Sequence, residues 1–150
     1  MFPKITGKPI QLTCTELAFP EFPALLFGNK TDNGNSFFDA TLYIQNKNLT
    51  ITVLDFFRKY EEPVKALITS YGIEEDQVCV LNQKGHYLID GNLTYLFISF
   101  VEPDFLAYIC DRIQDLFTTG FCVSDTYLVQ TAKNRLTKNV LEAMIENEQA

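Results

Sequence analysis

The residues best suited to covalent chemistry are Cys79, His86 and Asp90. His86 is the single histidine, so no histidine pair exists to bind a metal or share a proton. The segment Gln77–Leu81, the turn residues Asn82-Gln83-Lys84-Gly85 and His86–Ile89 have the pattern of a β-hairpin with a four-residue loop. That loop sets Leu81 opposite His86 and Cys79 opposite Leu88. Cys79 and His86 then share a sheet face as a diagonal pair, roughly 7–8 Å apart. A thiolate–imidazole couple needs contact near 3 Å and an orienting acid, for which Asp90 is available. The spacing is marginal, and an ordinary hairpin with a half-exposed turn histidine explains the same residues.

A second set lies on the helix expected from Pro103 to Thr118. At 100° per residue Asp104, Tyr108, Asp111 and Asp115 fall within a stripe of about 60°. Phe105, Leu106, Ile109, Ile113, Leu116 and Phe117 lie on the opposite side, which is expected to pack on the sheet. No Lys or Arg stands at i+4 to any of the acids, so this reading leaves the stripe un-neutralised. It serves as a solvated face, a docking line for a basic partner or, least well, a divalent-cation site, because a straight stripe does not converge on one point.

Other signatures are lacking. There is no G-x-S-x-G elbow, Walker A loop, G-x-G-x-x-G turn or H-E-x-x-H helix. The loop GNKTDNGNS (28–36) misses the calcium-loop spacing and its closing Glu. Cys14, Cys79, Cys110 and Cys122 contain no C-x-x-C pair. The expectation is four reduced thiols, no metal and no cofactor.

Composition bounds the class. The 150 residues are 47% hydrophobic and 21% charged, which suits a folded domain and not a disordered chain. Thirteen Phe and seven Tyr make the core aromatic. A net charge of −7 argues against coating nucleic acid, which needs clustered Lys and Arg. The start MFPKITGKPI lacks a signal-peptide apolar segment, and no apolar run is long enough to span a bilayer. A cytoplasmic or virion location is therefore expected, and the sequons at Asn29, Asn48 and Asn92 are read as accidental.

The positioning elements follow from periodicity. Residues 9–14 alternate as a strand, Leu25–Phe27 form a short strand, and Ser36–Gln45 read as a longer one. Thr52 with Asp55 has capping-box spacing. The stripe 53-57-60-64-67-71 continues through Pro63, so one kinked helix or two helices in register are expected, ended by Gly72. Leu93–Val101 is nearly all apolar and reads as a central strand covered on both faces. Phe121–Val123 read as a short strand, and residues 125–131 fit strand or helix. A last helix covers residues 132–146, its bases (Lys133, Arg135, Lys138) preceding its acids (Glu142, Glu146, Glu148) against the helix dipole.

The fold expected is α+β: a single domain with an antiparallel sheet of about five strands, including a three-stranded meander over 77–101, packed against three main helices. For function the leading expectation is a non-catalytic interaction or assembly subunit, engaging a protein partner with a basic surface or further copies of itself. Frequent Asn and Lys with three Arg resemble an AT-rich coding source and suggest a phage virion component. The alternatives are an acidic inhibitor or immunity-type protein that covers a basic surface, and a small cysteine enzyme using Cys79 and His86.

Overall fold

The computed structural model describes residues 2–19, 25–30 and 34–124. The chain forms two compact units, residues 1–107 and 108–150. The first unit is α+β and carries a five-stranded antiparallel sheet. Its strands are β1 (Thr15–Leu17), β2 (Leu25–Asn29), β3 (Ser36–Asp39), β4 (Cys79–Leu81) and β5 (Tyr87–Asp90), in the order β1-β2-β3-β5-β4. The helices of the described residues are α1 (Ala40–Asn46), α2 (Val53–Lys59), α3 (Glu61–Tyr71), α4 (Thr94–Val101) and α5 (Pro103–Thr119).

The strand expected over 36–45 changes to helix at Asp39. Its carboxylate Oδ1 accepts from the Leu42 amide at 2.9 Å and caps α1. The capping box at Thr52 is present: Thr52 Oγ1 accepts from Asp55 N and Asp55 Oδ2 accepts from Thr52 N, both at 3.1 Å. The stripe through Pro63 belongs to two helices that meet at Tyr60. Pro63 stands in the first turn of α3, where a missing N–H costs nothing. Gly72 closes α3 at φ 67°, and Ile73 N donates back to Ile68 O at 2.9 Å.

Leu93–Val101 corrects the central expectation. It is helix, and the meander has two strands, β4 and β5, because the third segment coils. Asp90 starts the change: its Oδ1 accepts from Asn92 N at 2.9 Å and caps a 3-10 turn over Gly91–Leu93 that leads into α4. A helix apolar on all sides suits full enclosure. Phe97, Ile98, Ser99 and Val101 are all buried. The two polar side chains are satisfied locally, Thr94 Oγ1 donating to Gly91 O and Ser99 Oγ to Tyr95 O, both at 2.8 Å.

The core lies between one sheet face and the helices. Leu25, Phe38, Cys79 and Ile89 meet Tyr43 from α1, Phe56 and Phe57 from α2, Val64 from α3, and Phe97 and Ile98 from α4. Phe97 is its hinge, with ring centroids 6.0 Å from Phe38 and 5.3 Å from Phe56, both edge to face. The opposite sheet face buries Phe37, Val80 and Leu88 under Ile10, Leu12 and Cys14. Residues 9–14 thus form an extended cover with one parallel bridge, Ile10 to Asn82, and not a strand of the sheet. Phe121–Val123, also expected as a short strand, holds none. The expected C-terminal helix and residues 125–131 lie outside the described residues.

Candidate functional site

The sheet register decides the thiol candidate. Cys79 pairs with Ile89 and Leu81 with Tyr87, one residue off the expected register. The turn is shorter than expected: Asn82 N donates to His86 O at 3.1 Å, and Gly85 N to Asn82 O at 3.0 Å. A one-residue slip in a period-two strand reverses every side chain. Cys79 therefore faces the helical core, beside Ile89, while His86 and Asp90 lie on the other face. The structure does not bring Cys79 and His86 together. Cys79 is fully buried, and burial pushes its thiol up to about 12, so it stays protonated at neutral pH.

The acid that His86 meets is Asp39. His86 Nδ1 lies 2.9 Å from Asp39 Oδ2, while Asp39 Oδ1 caps α1. β3 and β5 explain the meeting: Asp39 pairs with Leu88, which makes His86 its diagonal neighbour on the same face. Asn82 Oδ1 fixes the turn by accepting from Lys84 N at 2.9 Å and His86 N at 3.0 Å. Cys14 lies beside this pair, its Sγ 3.6 Å from Phe37 O. Its thiol is pushed up to about 12, first by burial and then by the Asp39 charge. Cys14, Asp39 and His86 are thus a structural polar cluster whose thiol is held neutral. The D-A-T-L sequence after Phe38 carried an N-cap signal for Asp39, but the alternation of residues 36–45 masked it.

The acidic stripe is partly neutralised by an unexpected partner. Arg112 Nη2 lies 2.7 Å from Asp111 Oδ2 and 3.2 Å from Asp115 Oδ2, and its guanidinium stands 5.5 Å from the Tyr108 ring centre. The pairing uses i+1 and i−3 spacings, where the sequence reading considered i+4. Asp104 is exposed at the first turn of α5, where a carboxylate suits the helix dipole.

The other side of α5 carries the stronger feature. The helix is 17 residues long and amphipathic, and none of its residues is buried. Phe105, at its start, is half-buried against the core of the first unit, while the apolar residues beyond it are not enclosed. Leu106, Ile113 and Leu116 are 40%, 44% and 43% exposed, and Phe117 is 83% exposed. Phe121, just past the Gly120 stop, is exposed as well. At 100° per residue the apolar side spans about 140° and holds no charged residue.

Among the described residues, no group of three or more His, Cys, Asp or Glu is placed to hold a metal ion. Among the same residues no single helix is long and apolar enough to cross a membrane. No family model, curated protein or solved structure matches the chain.

Proposed function

We propose that this chain is a non-catalytic assembly subunit that associates with a second copy of itself through the apolar face of α5. The observation that carries this reading is the exposure of Ile113, Leu116 and Phe117 along a helix with no buried residue. An amphipathic helix draws most of its stability from burying its apolar face, and contiguous exposed apolar residues mark interaction surfaces.

Charge selects the occupant. The chain carries −7 overall, so two copies repel unless they meet on an uncharged surface. The apolar face of α5 is such a surface. Asp104, Asp111 and Asp115 lie on the far side of the helix, so two copies joined at Ile113 and Phe117 keep their acids apart. A basic partner docking on the acidic line has less support, because Arg112 already pairs with Asp111 and Asp115.

The test is amide hydrogen exchange at low and high protein concentration. The reading expects peptides covering Ile109–Phe117 to gain protection as concentration rises, and Phe117→Glu to abolish the gain without altering protection in α2 or α4. Protection of α5 that does not change with concentration would contradict it.

A further inference from the structure

We infer that residues 6–14 are a removable strap over a groove that takes an extended polypeptide segment of a partner. The groove floor lies on the sheet face opposite the helices, where Phe37, Val80 and Leu88 are buried. Gly28 of β2, paired with Phe37, completes the floor. A Cβ there would stand 3.2 Å from Leu12 Cδ1 and 3.3 Å from Cys14 Cα, so the missing side chain lets the strap lie close on the sheet. Ile10, Leu12 and Cys14 pack on this floor, while Gln11 and Thr13 between them are exposed. That alternation belongs to a segment laid down in extended form.

The strap is held more weakly than what it covers. Among the described residues one backbone–backbone hydrogen bond ties it to the sheet, from Ile10 N to Leu81 O at 2.8 Å. Asn82 Nδ2 adds a long bond of 3.5 Å to Leu12 O. Residues 6–9 are all exposed, and a Cβ added at Gly7 would meet nothing within 4 Å. The chain on either side is fixed: Phe2 and Ile5 pack on the helical core, and Thr15–Leu17 pair with β2. A segment with few apolar contacts and exposed backbone opens at a lower free energy than the sheet beneath it. Lifting residues 6–14 between their fixed ends uncovers three apolar side chains and the Leu81 carbonyl on the edge strand β4. The strap itself shows what fits there: apolar side chains at alternate positions, and a backbone amide for Leu81 O. The occupant is a partner polypeptide and not a second copy, because each copy carries its own strap, tethered at both ends and favoured by proximity.

The test is amide exchange of the whole chain, followed by peptide binding. After correction for sequence, the Ile10 amide should exchange about a hundredfold faster than the Asp90 amide, which donates to Val78 O at 2.9 Å. Low urea should speed Asp90 and leave Ile10 nearly unchanged, since local opening exposes little surface. Gly28→Ala, which crowds Leu12 and Cys14, should speed Ile10 several-fold and not Asp90. Equal exchange of Ile10 and Asp90 in the wild type would overturn the strap. A blocked synthetic peptide of residues 8–13 is then titrated into the chain carrying Ile10→Ser and Leu12→Ser, whose own strap has lost its grip. Saturable amide shifts at Leu81 and Leu88 support the groove. No shifts at millimolar peptide, or equal shifts with a peptide bearing the same two substitutions, overturn it. If the double variant does not fold, the wild-type chain is titrated instead, and the peptide should speed Ile10 exchange by competing with the strap. Ile10 protection that rises with protein concentration would assign the groove to a second copy and overturn the partner reading.

Discussion

Cys79 and Cys14 titrate far from their usual range, and both are held as thiols, pushed up to about 12. Tyr43 is also displaced upward, first by burial and then by its hydrogen bond to the Glu102 carboxylate. In all three the folded chain binds the proton more tightly than the unfolded chain. Their contribution to stability is therefore complete below about pH 9 and is lost as pH rises toward 12. Each group that ionises on unfolding lowers stability by up to about 1.4 kcal/mol per pH unit in that window. Urea unfolding at pH 7.5 and pH 10 should show the loss, while unchanged midpoints would refute the burial of these groups. The same environments predict graded thiol labelling at pH 8. Exposed Cys110 and Cys122 should react first, and Cys79 only after unfolding. Asp39 is the other telling residue, because one carboxylate serves both the α1 cap and His86. Asp39→Ala should cost about 2 kcal/mol, more than a cap alone, measured by denaturant midpoint.

At the level of elements, Thr52→Ala removes half of a capping box and should cost about 1 kcal/mol. Phe97→Ala empties the contact of α4 with Phe38 and Phe56 and should cost about 3–5 kcal/mol. Backbone chemical shifts of residues 94–101 give a direct check on α4, with helical values expected. These elements also show what the sequence made legible. The Thr52 box, the Gly72 stop and the Pro103 start were readable, because each rests on local backbone chemistry. The α4 segment was not, since a short run that is apolar nearly throughout has the same pattern as strand or helix. The β4–β5 register was not readable either. It depends on whether the turn uses three or four residues, and that one residue moved His86 away from Cys79 and toward Asp39. The helix that carries the acidic stripe was readable, but the Arg112 pairing and the exposure of Ile113, Leu116 and Phe117 depend on packing that periodicity does not contain.

At the scale of the whole molecule, a chain of net charge −7 carries one long amphipathic helix whose apolar side is exposed and uncharged. From Leu106 to Phe117, roughly 17 Å of helix at 1.5 Å per residue offers a seam that a second copy can match by two-fold symmetry. Association through apolar area should persist in high salt, where screening weakens the repulsion between copies. Sedimentation equilibrium of the purified chain across micromolar to millimolar concentrations tests this most directly. The account predicts a mass that rises toward twice the 17.1 kDa of one chain, and a Phe117→Glu variant that remains at 17.1 kDa. A wild-type chain that stays at 17.1 kDa throughout would contradict it.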